Sequence, residues 1–178
     1  MTTPETNMSV GESVSENVSV TLEVNGVDYP VTIGYGRNLV SVLRTEIGLT
    51  GTKEGCDDCE CGACMVLLDG QPVNSCSYLA AQAAGRSITT VEGVMNGSEM
   101  HPLQRNLLDA GGVQCGFCTP GMIMSATALL ARMPAPTEED IRIGLSGNLC
   151  RCTGYTKIID AVARTAAEPA ARPTTLQA

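Results

Sequence analysis

Residues 55–64 read Gly-Cys-Asp-Asp-Cys-Glu-Cys-Gly-Ala-Cys and constrain the first half of the chain more than any other stretch. Three of these cysteines are spaced C-x4-C-x2-C and another follows after a gap, which is the ligand pattern of plant-type [2Fe–2S] centres. The glycines suit such a loop, because the backbone must come close enough for N–H groups to point at the sulfurs. A structural zinc site is the alternative, although zinc usually takes two closely spaced cysteine pairs. The cysteines of this first group are Cys56, Cys61, Cys64 and Cys76.

A second group of cysteines lies in the other half of the chain. Cys115 and Cys118 form a C-x2-C pair, and Cys150 and Cys152 form a C-x-C pair further on. Because two predicted helices separate the pairs, the four thiolates can meet at one point. By spacing alone this second site fits either zinc or an iron–sulfur centre, and both remain open on these residues.

The composition explains why the fold needs its cysteines. The chain has 178 residues, enough for one domain or two small ones. Hydrophobic residues make up 43% of it but aromatic residues only 3%, so the core is built from aliphatic side chains and methionine. Two units of roughly 70–80 residues are near the size at which a hydrophobic core alone is marginal. We therefore expect the cysteine sites to stabilise these small units.

The N-terminal residues and the net charge predict a compartment and a class of partner. The start of the chain has no basic region, no apolar run of signal-peptide length and no twin arginine, and no stretch is long enough to span a membrane. We expect a cytoplasmic protein, in which cysteines serve metal or redox chemistry rather than disulfides. The formal charge of −8 disfavours nucleic acid and anionic membranes. Other proteins and cofactors are the expected partners.

The first half of the chain carries strand and turn signals. Apolar and polar residues alternate from Val18 to Val24, which is the period of a half-buried strand. Asn25-Gly26 predicts a hairpin turn into a return strand, and Pro30 predicts that this second strand lies partly at an edge of the sheet. The elements predicted after the first strand are a return strand over 27–33, a helix over 39–47 capped by Asn38, a hairpin over 65–75, a short helix over 77–84 and a strand over 87–91.

Strand signals stop near Met95, and four helices are predicted after it. They cover residues 102–109, residues 120–133, a segment begun by Thr137 with Asp140 as a capping arrangement, and residues 155–166. The predicted fold class is therefore α+β. The predicted domain plan is a disordered arm over 1–16, a sheet-containing domain over 17–94, a helical domain over 95–167 and a flexible tail over 168–178.

Three motifs make the chain resemble a known family. They are residues 55–64, residues 114–122 (Gln-Cys-Gly-Phe-Cys-Thr-Pro-Gly-Met) and residues 147–155 (Gly-Asn-Leu-Cys-Arg-Cys-Thr-Gly-Tyr). In this order they resemble the small subunit of the xanthine dehydrogenase, aldehyde oxidase and carbon monoxide dehydrogenase family of molybdenum hydroxylases. The resemblance runs over about residues 18–165. It implies a plant-ferredoxin-like β-grasp N-terminal domain followed by a four-helix domain, each holding one [2Fe–2S] cluster.

The resemblance also implies a role for each cysteine group. The first group would bind an outer cluster nearer a flavin, and the second an inner cluster nearer molybdenum. Gln114 and Cys152 would lie beside the pterin of the molybdenum cofactor. The chain would carry no catalytic residue, because the bond-making site belongs to another subunit. The implied inner-cluster ligands are Cys115, Cys118, Cys150 and Cys152.

The implied function is electron transfer inside a multi-subunit oxidoreductase. Electrons would leave a molybdenum–pterin site on a large subunit, pass through the inner and then the outer cluster, and reach FAD on a medium subunit. The assembly would be a hetero-oligomer such as a dimer of heterotrimers. A free-standing two-cluster ferredoxin and a zinc-stabilised interaction module are the alternatives. The sequence leaves open the substrate, the nucleotide form of the pterin, the terminal acceptor and the copy number.

Two further residues need an interpretation of their own. Cys59 departs from the family, in which glycine or another small or polar residue is commoner at this position. We interpret it as an unligated thiol, with a substitute ligand or an oxidation-sensitive thiol as alternatives. His101, the only histidine, precedes Pro102 at a predicted helix start and is interpreted as structural.

Overall fold

The computed structural model describes residues 17–95 and 99–168, and within them the chain forms a mixed α/β fold with one five-stranded sheet and five α-helices. The predicted arm over 1–16 and, apart from Glu168, the predicted tail lie outside the described residues. The strands are β1 (Asn17–Val24), β2 (Val27–Gly34), β3 (Met65–Leu68), β4 (Gln71–Asn74) and β5 (Ser87–Thr89). The helices are α1 (Leu39–Thr45), α2 (Pro102–Asp109), α3 (Thr119–Arg132), α4 (Glu138–Gly144) and α5 (Thr156–Ala167).

The sheet is built from two hairpins joined through a central strand. Its order is β2-β1-β5-β3-β4, in which β1 and β5 run parallel and the other neighbours antiparallel. Asn25 and Gly26 both have positive φ, at 55° and 76°, as a tight hairpin turn requires. The strand β2 lies at one edge, where Pro30 pairs with Thr21. The edge position predicted from Pro30 is therefore confirmed.

Side-chain caps fix where the helices begin. The Oδ1 atom of Asn38 accepts a hydrogen bond of 3.0 Å from the Ser41 N–H, which confirms the predicted cap of α1. Thr137 and Asp140 form a reciprocal capping box at α4, also as predicted. His101 caps α2, because its Nδ1 accepts from the Leu103 N–H at 3.1 Å. The structural interpretation of this histidine is thus borne out.

Each half has its own hydrophobic core. Leu22, Val24 and Ile88 of the sheet pack under α1 in the first half. The helices of the second half enclose a separate cluster that includes Leu103 and Met122. A small third cluster, formed by Leu67 of β3 with Met124 and Ala128 of α3, joins the two halves. The sheet and the helices therefore bury apolar surface against each other as well as internally.

Two of the predicted elements differ in the structure. The segment predicted as a helix over 77–84 contains only a 3₁₀ turn, Ala80–Ala83. The backbone before this turn is used for pairing with the start of α1, since Leu39 N–H donates to Tyr78 O at 2.7 Å and Ala80 N–H to Arg37 O at 2.9 Å. The strand predicted over 87–91 ends at Thr89, because the chain turns into a second 3₁₀ segment, Val91–Val94.

The cap at His101 predicts a pH dependence of stability. Burial, aided by the nearby Arg105 charge, lowers the pKa of His101 below its usual value near 6.5. The unfolded chain then binds a proton at His101 more readily than the folded chain does. The contribution of this cap to the free energy of unfolding is therefore present above pH ~6.5 and is lost as the pH falls. A cap contributes about 1 kcal/mol. We expect the thermal unfolding midpoint, followed by circular dichroism, to fall more between pH 7.5 and 5.5 in the native protein than in His101→Asn, because asparagine caps without titrating. Equal losses would contradict the assignment.

Candidate metal centres

The first group of cysteines lies in the long loop between α1 and β3 and just after β4. Cys64 is the last loop residue before β3, and Cys76 follows β4. Both are buried, in a small cluster with Val40 of α1. Cys56 and Cys61 are half-buried, and Cys59 is exposed. Asp57 and Cys59 adopt positive φ, at 58° and 68°, which curls the loop between these cysteines. The structure therefore places the Cys64 and Cys76 thiols in contact with each other, and Cys61 next to the Cys56 sulfur.

Backbone groups of this loop approach the sulfur atoms closely. The Cys61 N–H donates to Cys56 Sγ at 3.4 Å. A Cβ atom at Gly55 would lie 2.9 Å from Cys61 Sγ, so only glycine lets the backbone come this near. Burial, with the neighbouring Cys64 thiol, raises the pKa of Cys76 to about 12. Such a thiol stays protonated unless a cation stabilises the thiolate, and a bound metal supplies that charge.

Cys59 is closer to the predicted ligands than an isolated surface thiol would be. Its Sγ lies 3.9 Å from Cys76 Sγ. Its carbonyl accepts a hydrogen bond of 2.9 Å from Asn74 Nδ2, which holds the loop residue in place. The extra thiol is thus fixed next to the site.

The second group of cysteines meets where two loops precede helices. Cys115 and Cys118 lie before α3, and Cys150 and Cys152 lie before α5. The Sγ atoms of Cys115 and Cys152 are 3.6 Å apart, and the thiols of Cys118 and Cys150 are also in contact. Two thiolates on one tetrahedral metal with bonds of about 2.3 Å lie about 3.8 Å apart. The Cys115–Cys152 pair therefore has the spacing to hold one metal ion, and each of the two pairs takes one member from each loop.

The thiols of this second group differ in their surroundings. Burial, with the adjacent Cys150 thiol, raises the pKa of Cys118 to about 12. Burial also acts on Cys150, but hydrogen bonds from the Thr153 hydroxyl, the Thr153 N–H and the Cys152 N–H outweigh it and lower its pKa to about 7. The Thr153 Oγ1 atom is 3.1 Å from Cys150 Sγ. Cys150 is thus prepared as a thiolate by its own loop.

Tyr155 fixes the backbone of the loop that carries Cys150. Its hydroxyl accepts a hydrogen bond of 2.9 Å from the Cys150 N–H. Tyr155 itself adopts a positive φ of 69°, a conformation that a bulky residue rarely takes unless surrounding contacts hold it. The sequence did not single out Tyr155 or Thr153 as site residues, although both belong to the motif over 147–155. Their hydrogen bonds to Cys150 become visible only in three dimensions.

The exposed side of the second site carries the predicted pterin contacts. Gln114 is exposed beside Cys115, and Cys115 and Cys152 are the two exposed thiols of the group. His101 lies at the start of α2 and takes no part in either cysteine group. Among the described residues, no three His, Cys, Asp or Glu side chains converge on a point that would hold a single metal ion. The thiols are instead arranged in pairs.

The two cysteine loops touch through their backbones. Gly62, with a φ of 67°, faces Gly121 at the start of α3 and Gly147 in the third motif. A Cβ atom at Gly121 would overlap the Gly62 carbonyl oxygen, and one at Gly62 would overlap the Gly147 carbonyl oxygen. Glycine is therefore required on both sides of this contact.

This contact predicts a clear difference between two glycine substitutions. Gly121→Ala gains up to about 1 kcal/mol of helix propensity but forces a carbonyl aside, and such overpacking costs about 1–3 kcal/mol. We expect a net lowering of the thermal unfolding midpoint by about 2–4 °C for each kcal/mol lost. Gly36→Ala is the control, because nothing lies within 4 Å of its added Cβ atom. If both variants unfold at the same temperature, the contact does not limit this position.

Comparisons with known proteins identify the family of this chain. A family model described as a [2Fe-2S] binding domain matches residues 90–163. The chain is 48% identical over 145 residues to the nicotinate dehydrogenase small FeS subunit of Eubacterium barkeri, which covers 82% of this chain and 92% of that protein. It is 47% identical over 150 residues to the xanthine dehydrogenase iron-sulfur-binding subunit of Escherichia coli O157:H7, covering 83% and 94%. A solved structure of quinoline 2-oxidoreductase from Pseudomonas putida 86 matches with a TM-score of 0.85 and 44% identity, covering 88% of this chain and 97% of that one.

The chain therefore belongs to the family of small iron–sulfur subunits of the xanthine dehydrogenase, aldehyde oxidase and carbon monoxide dehydrogenase group of molybdenum hydroxylases. As such it is a subunit of an oxidoreductase. The family predicted from the three cysteine motifs is confirmed. None of the described helices is long and apolar enough to cross a membrane.

Proposed function

We propose that this chain is the electron-transfer subunit of a multi-subunit molybdenum hydroxylase. It passes electrons from a molybdenum–pterin site on a large partner subunit through two [2Fe–2S] clusters toward FAD on a medium subunit. When bound, the clusters accept and donate single electrons. The assembly is a hetero-oligomer, such as a dimer of heterotrimers, in the cytoplasm. The family membership supports an electron-transfer role. The two groups of thiols in this chain support two cluster sites.

The observation that carries this proposal is the pairing of thiols. A [2Fe–2S] cluster needs four thiolates in two pairs, one pair for each iron. Cys115 with Cys152 and Cys118 with Cys150 form two such pairs, and a single zinc ion would instead draw all four sulfurs to one point. The donors fit the cluster in chemistry as well, because thiolate is the ligand that it requires.

A different observation supports a cluster at the first site. The Cys61 N–H already points at the Cys56 sulfur, and Gly55 gives the room for this approach. Hydrogen bonds from backbone N–H groups to ligand sulfurs are among the factors that tune a cluster. We assign the outer cluster to Cys56, Cys61, Cys64 and Cys76 in a ferredoxin-like β-grasp domain over 17–94, and the inner cluster to the second group in a four-helix domain over 95–167.

The surface around the inner site supports a protein partner there. Phe117 and Leu149 flank the cysteines and remain 47% and 55% exposed. Large apolar side chains next to exposed ligands are typical of a surface that another subunit covers. We propose that Gln114 and Cys152 face the pterin across this contact. A free-standing ferredoxin would leave this surface in water.

Iron analysis and electron paramagnetic resonance (EPR) of the dithionite-reduced, natively purified protein test the proposal. We expect about four irons and four sulfides per chain and two distinct S = ½ signals. Cys56→Ser is expected to lose one signal and Cys115→Ser the other. Cys59→Ser is the matched control and is expected to keep both, because the remaining cysteines complete the first site. Zinc in place of iron in anaerobic material would overturn the proposal, and absence of molybdenum and larger co-purifying subunits would favour the free carrier.

The hydroxyl of Thr153 predicts a shift in reduction potential. Thr153→Val removes the hydrogen bond to Cys150 Sγ, so the more negative reduced cluster loses stabilisation. We expect the potential of that cluster alone to fall by about 40 mV, the equivalent of about 1 kcal/mol for one electron. Thr153→Ser keeps the hydroxyl and is expected to keep the potential in an EPR-monitored titration. An unchanged potential in Thr153→Val would show that this hydroxyl does not act on the cluster.

A further inference from the structure

Asn148 joins the two cysteine loops from a position inside the protein. It is only 2% exposed, although its side chain is polar. Its Nδ2 donates a hydrogen bond of 3.0 Å to the Gly62 carbonyl in the first loop. Its Oδ1 accepts one of 2.6 Å from Ser125 Oγ on α3. The amide therefore connects the loop of the first site, the loop of the second site and a helix of the second half.

The residue after Asn148 makes the direct link between the sites. The Leu149 N–H donates to the Cys61 carbonyl at 2.9 Å. Cys61 belongs to the first cysteine group, and Leu149 is bonded directly to Cys150 of the second. One hydrogen bond is thus the single non-covalent step along the backbone from a thiol of one site to a thiol of the other.

We propose that Asn148 is a positioning residue for electron transfer between the two sites. It holds the loops so that the hydrogen bond from Leu149 N–H to the Cys61 carbonyl forms the bridge along which the electron moves. One electron crosses, the donor cluster is oxidised by one unit and the acceptor cluster is reduced by one, and no proton moves. This inference rests on the proposed function, since it requires a cluster at each site.

The chemistry of the position favours asparagine. The contact needs a donor for the Gly62 carbonyl and an acceptor for the Ser125 hydroxyl, and a carboxamide supplies both. An aspartate would lack the donor, and an apolar residue would leave two buried polar groups without partners. Electronic coupling decays less through bonds than through a gap. A small opening of the hydrogen-bonded contact between the loops therefore weakens the coupling between the two sites strongly.

Asn148→Ala in the complete, cluster-loaded complex tests this inference. The intercluster rate is measured by rapid photochemical reduction with freeze-quench EPR, and the spin–spin splitting between the two reduced clusters is recorded beside it. We expect the rate to fall by about tenfold or more, the scale on which residues that orient metal ligands alter activity. We also expect the splitting to weaken while the iron content and both reduction potentials stay at the native values.

Asn106→Ala is the matched control. Asn106 is also a buried asparagine of the second half, and its Nδ2 donates to Thr165 Oγ1 at 3.0 Å, between α2 and α5 and away from the loop contact. It is expected to lower stability without changing the intercluster rate. Ser125→Ala is the second test variant, because it removes only the bond that orients the Asn148 amide. Ser125→Ala is also expected to lower the intercluster rate. If Asn148→Ala loses iron, the rate in Ser125→Ala is the test of the proposal.

The outcomes separate this inference from the proposed function. A native rate in Asn148→Ala, or an equal slowing in Asn106→Ala, overturns the role of Asn148 and leaves the electron-transfer subunit standing. A native protein without two cluster signals overturns the proposed function, and the inference falls with it. Slowing confined to the Asn148 and Ser125 variants supports the bridge.

Discussion

The backbone contact between the two cysteine loops is the constraint on which the rest of this structure depends. Gly62 can face Gly121 and the Gly147 carbonyl only because neither Gly62 nor Gly121 carries a side chain. Asn148 then satisfies the polar groups that this approach buries. Because the loops are joined here, the sheet and the helices cannot shift independently without breaking buried hydrogen bonds.

The two sites differ in how they relate to solvent. Cys64 and Cys76 of the first group are buried, whereas Cys115 and Cys152 of the second are exposed. The exposed thiols of the second site are the ones that the proposed relay places against the large subunit. The loop over 57–60, which belongs to the first site, is exposed and carries three acidic residues. The apolar Phe117 and Leu149 occur on the side of the second site.

Much of the local structure could be predicted because it depends on neighbouring residues. Asn25-Gly26 specifies its turn, Asn38 and Thr137 cap their helices, and Pro30 marks an edge strand. The short helix expected over 77–84 was wrong for the opposite reason. Its backbone pairs with the start of α1, and no local pattern announces a partner some forty residues away in the chain.

The sequence by itself determined the family, because three motifs in the same order are a property of the chain, and the spacing of the first cysteine group indicated a plant-type [2Fe–2S] site. By spacing alone the second group remained open between zinc and iron, and its assignment came from the resemblance. Only the tertiary structure decided which thiols pair, that Tyr155 and Thr153 serve Cys150, and that Asn148 joins the two loops. These relations link residues of different loops and helices, so they come into being when the two halves pack together. A buried asparagine looks like any surface asparagine in the sequence, since burial is a property of the folded chain.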